Sequence, residues 1–426
     1  MSDPRKIAWD VLNKCASADQ YSNLALDTAI KRAELTEADR GLLTTLVYGV
    51  IEKQITLDAC IDSMTRGKPG DILPEVRNLL RMGIYQLLYL DRIPDHAAVN
   101  EAVNAAPKRA KGFVNALLRA FVRAGKRIPV PDRESDPIGY LSVRYSFGAP
   151  LCERFVAAFG MTRTEELLAA FDRQPPLTLR VNTLRISREA FLEALKQAGI
   201  RAEACAESHS GVHVWDKLPV PALYGFDEGL FFVQDEASQL CVEALEAQKG
   251  MTVMDTCACP GSKSFGIAIE MENDGTVFSC DLHRNKLSLV QSGAERLGIS
   301  ILRIEECDAR DAREEWKCAF DRVLCDVPCS GFGVFAKKPE LRYKDPRMSD
   351  ALPQIQADIL QNASSYVRVG GRLVYSTCTL LPSENEENVS RFLEAHPEFQ
   401  LLRQRTLYPD LDGTDGFFFA VLERVQ

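Results

Sequence analysis

Three side chains stand out as able to make and break bonds: the carboxyl of Asp326 and the thiols of Cys329 and Cys378. A thiolate is a soft nucleophile, and a carboxyl held beside it can give or take a proton. Asp326 and Cys329 share the run RVLCDVPCSG, with Pro328 between them. Val323 and Leu324 predict a buried strand, whereas Pro328, Ser330 and Gly331 cannot continue one, so both groups fall at its carboxyl end. Cys378 stands in the same relation to a second run, GGRLVYSTCT, in which Leu373, Val374 and Tyr375 form the strand and Pro382 closes the loop. Spacing leaves open which thiol attacks. A four-thiolate metal site from Cys257, Cys259, Cys325 and Cys329 is the weaker reading, because the pairs sit at strand tips with spacings unlike those of common zinc modules.

The elements that must position these groups follow from the periodicity. From about Gln234 the chain repeats strand, polar tip and helix: TVMD ends at Asp255, TVFSCD at Asp281, ILRIEECD at Asp308, RVLCD at Asp326 and RLVYSTC at Cys378. Alternation of this kind predicts a parallel, doubly wound α/β sheet, and ligands bind such sheets at the carboxyl ends of their strands. After Asp255 the loop TCACPGSK turns at Pro260 and Gly261 and opens a helix, where a backbone can approach a ligand closely. Neither a G-x-G-x-x-G dinucleotide fingerprint nor a phosphate loop is present. Asp281, 26 positions after Asp255, stands where an acid accepts from ribose hydroxyls. A nucleoside without pyrophosphate suits this arrangement, and S-adenosylmethionine is such a ligand. Lys263 either contacts that cofactor or solvates the helix start.

Residues 1–130 predict a helical bundle. Leu42, Leu43, Leu46, Val47, Val50 and Ile51 recur at helical spacing behind a Thr36 to Asp39 capping signature. In KGFVNALLRAFVRAGK, Phe113, Leu117 and Phe121 are expected on one side and Arg119 with Arg123 on another. Pro129, Pro131 and PDRESDP read as a linker, and residues 131–233 as helices followed by a small α+β, RRM-like subdomain with a Ser187-capped helix. Residues 234–426 then form the α/β domain.

Length fits more than one domain, and 46% hydrophobic residues supply ample core. No apolar stretch approaches the roughly 18 residues of a membrane span, and the opening MSDPRKIAWD lacks an apolar signal core, so a cytoplasmic monomer is expected. Thirteen cysteines in such a chain fit reduced thiols, with Cys15, Cys60, Cys152, Cys241, Cys280 and Cys318 expected in cores. The net charge of −9 argues against a nucleic-acid partner, but its distribution argues the other way. No acid lies between Glu101 and Asp132, while Lys108, Arg109, Lys111, Arg119, Arg123, Lys126 and Arg127 do. That window is either an RNA surface or a solvated helix face. Lys337, Lys338, Arg342, Tyr343 and Lys344, just past the Cys329 loop, invite the same two readings: a splayed RNA strand or a solvated loop.

Motif by motif, DTCACPGSK, CDARD, DVPCSGFG with KKPELRY, and YSTCTLLPSENEENV resemble the Sun-type RNA cytosine-C5 methyltransferases, and DGFFFAVL resembles their last hairpin. The front end, above all HAAVNEAVNAAPKRAKGFVNALLR, resembles the RNA-binding module of the antitermination factor NusB. The likeness runs from end to end. It implies a class I, Rossmann-like methyltransferase domain behind a NusB-like bundle, with 16S ribosomal RNA as partner and S-adenosylmethionine as cofactor. It further implies that Cys257, Ala258, Cys259, Pro260, Gly261, Ser262 and Lys263 line the cofactor, that Asp281 holds its ribose, that Asp308 lies by the adenine, and that Asp326 serves both cofactor and base. Where the family's first loop reads Ala-Ala-Pro-Gly-Gly-Lys, this chain has Cys259 and Ser262, and Ser262 costs backbone freedom if that position needs positive φ.

Carbon 5 of cytosine takes a methyl group only after a thiolate adds to carbon 6, and the thiol must later leave. Asp326 would stabilise the adduct by protonating or hydrogen bonding ring N3 if burial raises its pKa. A nucleophile that follows a proline would be Cys329; the resembling RNA family implies attack by Cys378 and release assisted by Cys329. Other readings are a different RNA such as tRNA, methylation of an exocyclic nitrogen or a protein side chain, for which no thiol is needed, and a non-catalytic RNA-binding assembly factor.

Overall fold

Apolar residues at helical spacing dominate the first part of the chain and alternating strand runs the last; the computed structural model forms two units, whose bounds differ from the three segments read from sequence. It describes residues 3–18, 22–65, 71–173, 175–216 and 218–426.

One unit comprises Met1–Ala169 together with Lys337–Asp345. Its helices are α1 (Pro4–Ala18), α2 (Ser22–Arg32), α3 (Glu37–Glu52), α4 (Gln54–Met64), α5 (Pro74–Tyr89), α6 (Asp95–Ala105), α7 (Lys111–Arg123), α8 (Pro137–Tyr145), α9 (Ala149–Phe159) and α10 (Met161–Ala170). Thr36 caps α3 as expected, its Oγ1 accepting from the Asp39 amide at 3.2 Å. The core gathers Leu43, Leu46, Val47 and Val50 of α3 with Leu79 and Leu80 of α5 and Leu117 and Phe121 of α7. Phe113 departs from expectation and is 43% exposed. An i, i+4, i+8 row winds by about 40° per step around a helix of 3.6 residues per turn, which carries its first member out to solvent while Val114 and Leu118 turn inward.

Arg342 and the Tyr343 hydroxyl correct both readings at their positions, because both are engaged by partners within the unit. Arg342 is fully buried, over the Phe147 ring and bonded to the Tyr145 carbonyl. The Tyr343 hydroxyl lies where the α3–α4 helical run breaks at Lys53. It donates toward the carbonyls of Ile51 and Glu52 at 2.6 and 2.8 Å and accepts from the Gln54 amide at 3.0 Å. Chain termini of helices leave such groups unpaired, and one side chain satisfies several of them here.

The other unit, Ala170–Ala336 with Pro346–Gln426, holds two sheets. The smaller is antiparallel in the order β2-β3-β1-β4, from β1 (Leu177–Val181), β2 (Ala202–Ala204), β3 (Gly211–Val214) and β4 (Phe231–Val233). Helix α11 (Arg188–Gln197), capped by Ser187 as expected, adds Phe191 and Leu195 to its core. The larger sheet contains β5 (Thr252–Asp255), β6 (Thr276–Asp281), β7 (Leu302–Glu306), β8 (Phe320–Asp326), β9 (Val367–Thr377), β10 (Phe399–Leu407) and β11 (Phe417–Arg424), in the order β10-β11-β9-β8-β5-β6-β7. Strands β9, β8, β5, β6 and β7 are mutually parallel, as the alternating pattern predicts. Strands β10 and β11 are antiparallel additions at one edge, so the sheet is mixed.

Successive strand residues point to opposite faces. Val253 and Leu324 therefore join one core with α12 (Glu236–Leu245), α13 (Ser262–Glu270) and α14 (Arg284–Leu297). Met254, Val323 and Cys325 join another with α15 (Leu352–Ser364) and α16 (Glu386–Ala395). Connection order reverses between β5 and β8, and at such a switch point the loops after neighbouring strands part to leave a crevice.

Candidate active site

Two loops at the carboxyl edge of the sheet bring the thiols together. Strands β8 and β9 are parallel neighbours with Asp326 opposite Ser376, so the loops that follow them start side by side. Ser330 Oγ donates to Thr379 Oγ1 at 2.9 Å, and an isolated bridge joins Gly333 to Thr379. Gly333 is required by close approach, since a Cβ there would fall 2.0 Å from the Gly416 carbonyl. Cys329 Sγ and Cys378 Sγ end 3.1 Å apart, and the Cys378 amide donates to Cys329 Sγ at 3.3 Å. The structure thus brings these two cysteines together.

Asp326 lies at the same edge with both oxygens engaged. Its Oδ2 accepts from Lys263 Nζ at 2.6 Å and its Oδ1 from Ser376 Oγ at 2.9 Å. Lys263, left open between cofactor contact and solvation, thus forms an ion pair with the acid. Burial draws its pKa down, but Asp326, Cys241 and Cys378 outweigh that and hold it above the usual lysine range. The neighbouring Cys378 and burial push the Cys329 thiol well up, and the buried Glu384 carboxylate adds to the rise. A cation is therefore within electrostatic reach of Cys378 and an anion within reach of Cys329. An opposite charge favours a thiolate and a like charge the neutral thiol.

The loop after β5 forms the other half of the site. The Ala258 amide donates to the Cys280 carbonyl and the Gly261 amide to the Ala258 carbonyl, which ties residues 257–261 into a turn over β6. Gly261 has φ +112° and ends this turn; Ser262 begins α13 outside the left-handed region, so replacing the family's second glycine carries no backbone strain. Asp281 Oδ2 accepts from the Cys259 amide at 3.0 Å and Oδ1 from the His283 amide at 2.9 Å. Each carboxylate oxygen retains a lone pair for a sugar hydroxyl. A fixed acid beside a helix start, without a phosphate cradle, fits a nucleoside ligand. Asp308 lies two residues past β7 and is held by Arg310, whose Nε and Nη2 stand 2.9 and 2.6 Å from its oxygens and keep its carboxyl low. Cys257 turns its sulfur toward Thr256 Oγ1 and packs against the core around Phe278.

Asp255 departs from its place in the row of strand-tip acids. It is fully buried, bonded through Oδ2 to Ser264 Oγ at 2.7 Å, and burial pushes its pKa up to about 7. Of the cysteines expected in cores, Cys60, Cys152, Cys241 and Cys280 are buried, Cys15 is half-buried, and Cys318 is exposed. Among the described residues, the four cysteines of the metal alternative do not gather; three potential ligands come within 4.8 Å of one another only at Cys205, His213 and Glu236. There Glu236 Oε1 already accepts from the Glu207 and Ser208 amides. Sequence reasoning missed Ser376, Gln356 and Glu384. The run PSENEEN after Cys378 carried a signal, six polar residues bounded by apolar ones, but no spacing rule connects it to Cys329.

Comparison with known proteins bears on the same regions. The family model described as 16S rRNA methyltransferase RsmB/F matches residues 242–423, the NusB family model residues 2–123, and the RsmF/B-like ferredoxin-like domain residues 150–221. The chain is 38% identical to the probable ribosomal RNA small subunit methyltransferase B of Bacillus subtilis strain 168, covering 99% of this chain and 98% of the relative. It is 35% identical to the ribosomal RNA small subunit methyltransferase B of Pseudomonas putida, covering 99% of each. The crystal structure of PH0851 aligns with a TM-score of 0.82 at 26% identity over 100% of this chain and 99% of that one. NSun6 from Pyrococcus horikoshii with SFG shares the fold at a TM-score of 0.58 and 23% identity, covering 65% of this chain and 98% of that one.

Proposed function

The chain belongs to the ribosomal RNA small subunit methyltransferase B family, and from that premise we propose that it forms 5-methylcytosine in 16S ribosomal RNA through a covalent bond between Cys378 and carbon 6 of the base. S-adenosylmethionine is the cofactor, with Asp281 and the turn at residues 257–261 as its ribose and backbone contacts, and when bound it supplies a methyl group on a sulfonium centre. The observation that most supports the covalent route is the pair of sulfurs 3.1 Å apart. Methylation of an exocyclic nitrogen or of a protein side chain has no use for such a pair.

Cys378, its thiolate favoured by the ammonium, adds to carbon 6. Negative charge then develops toward ring N3, where the proton shared between Lys263 and Asp326 offers a hydrogen-bond donor. Preorganised partners of this kind act where charge appears in the transition state. Once carbon 5 carries the methyl group it gives its proton to solvent and the bond from carbon 6 to Cys378 sulfur breaks; Cys329, kept as a neutral thiol, supplies a proton to the departing sulfur and regains one from solvent. An rRNA substrate locates this work in the cytoplasm. A single copy suffices, because every residue named belongs to one unit. No helix among the described residues is long and apolar enough to cross a membrane.

Incubation with unmethylated 16S rRNA and S-adenosylmethionine, followed by denaturing gel electrophoresis, tests the assignment. Cys378→Ala should abolish methylation and form no adduct, while Cys329→Ala should accumulate a protein–RNA adduct. The opposite pattern would exchange the two roles, and full activity in the double variant would remove the covalent route.

A further inference from the structure

One buried carboxylate beside the thiols has no reactive part in that scheme. Glu384 is 1% exposed and lies six residues after Cys378. Its Oε2 accepts from the Ser330 amide at 2.9 Å and from Gln356 Nε2 at 2.8 Å, while its Oε1 is buried without a hydrogen-bond partner among the described residues. Ser330 directly follows Cys329. Gln356 Nε2 also donates to the carbonyl of Pro328, which directly precedes Cys329, at 3.0 Å. The chain on each side of Cys329 is thus anchored to one carboxylate–amide pair. The other end of that pair is fixed to the Cys378 loop, where Tyr375 Oη donates to the Glu384 carbonyl at 2.6 Å and Asn385 Nδ2 to the Thr379 carbonyl at 2.9 Å.

Keeping an ionisable group in the interior is costly, and leaving one of its oxygens without a partner adds to the cost. Packing alone would be served by methionine. A carboxylate oxygen can take two donors at once, and these two come from separate segments that must meet for the sulfurs to meet. We propose that Glu384 is a positioning residue for the release step: by holding the Ser330 amide to the Cys378 loop, it sets the Cys329 sulfur against the Cys378 sulfur. This inference rests on the two-thiol reading above. Lys263 and Asp326 contact neither Ser330 nor Gln356 through any of the bonds described, so attack by Cys378 should outlast the loss of Glu384 while release fails.

The test uses the full chain with unmethylated 16S rRNA and S-adenosylmethionine, and compares Glu384→Ala, Glu384→Gln and Cys329→Ala. Glu384→Ala should lower multiple turnover by about tenfold or more, the scale of a lost hydrogen bond to a charged group, and should accumulate adduct as Cys329→Ala does. Glu384→Gln retains an acceptor oxygen for the Ser330 amide and should restore turnover and clear the adduct. Thermal unfolding of each variant separates this pattern from general loosening. If Glu384→Ala fails to fold, Gln356→Met removes the same anchor from its other end and should accumulate adduct instead. The inference is overturned if the Glu384 and Gln356 variants lose turnover without adduct while Cys329→Ala accumulates it, or if glutamine rescues nothing. Absence of adduct in Cys329→Ala would overturn the two-thiol reading itself.

Discussion

Replacing Lys263 by methionine keeps the side-chain length and deletes the ammonium that stands 2.6 Å from Asp326 Oδ2, in a pair whose side chains are 12% and 25% exposed. Unit charges about 4 Å apart attract by about 4 kcal/mol at an effective dielectric near 20. Desolvation offsets much of this while the pair is intact, but removing one partner strands a partly buried carboxylate at a cost of about 3–5 kcal/mol. Ser376 still donates to Asp326 at 2.9 Å, which argues for the lower end of that range. At about 2–4 °C per kcal/mol for a unit of this size, a loss near 3 kcal/mol lowers the melting temperature by about 6–12 °C. A double-mutant cycle with Asp326→Asn should return a coupling of about 2 kcal/mol, well above the scatter expected of independent sites. Under the proposed mechanism, in which this ammonium stabilises the adduct, methyl incorporation should fall by about a hundredfold or more. Thermal unfolding and tritiated methyl transfer measure the two effects. A variant that melts within about 2 °C of the parent and couples additively to Asp326→Asn would refute the assignment of Lys263 to the acid.

Asp255 gives a stability signature with a definite sign. Burial raises its folded-state pKa to about 7, above the unfolded value, so the folded protein binds the extra proton between roughly pH 4 and 7. Its contribution is fully present below that window and is lost as pH rises through it, by at most about 4 kcal/mol. Asp255→Asn should flatten the urea midpoint against pH from 5 to 8, and a variant with the parent's slope would contradict this. Tyr343→Phe deletes the hydroxyl that serves the α3 end and the α4 start. It should cost about 1–3 kcal/mol and raise hydrogen exchange at residues 51–57; unchanged exchange there would show that the hydroxyl carries no such load.

Local pattern determined much of this protein. Strand runs ending in turn residues located Asp281, Asp326, Cys329 and Cys378, because alternation, β-branched residues and a following proline or glycine act over a few positions. Thr36 and Ser187 were readable as helix caps for the same reason. Which strand tips become neighbours was a different matter. The pairing of Lys263 with Asp326 spans 63 positions, that of Ser330 with Glu384 spans 54, and the two sulfurs are 49 apart. Each follows from the strand order β9-β8-β5-β6, which apolar burial on both faces selects and which no local spacing records. The inward turn of Asp255, the burial of Arg342 and the engagement of the Tyr343 hydroxyl came from the same source, since a polar residue at a tip or in a loop looks alike in sequence whether it meets water or a folded partner. Residue types and motifs thus determined the chemistry this chain can perform; only tertiary packing decided which charge stands beside which thiol, because electrostatic and hydrogen-bond partners are set by distance in space rather than along the chain.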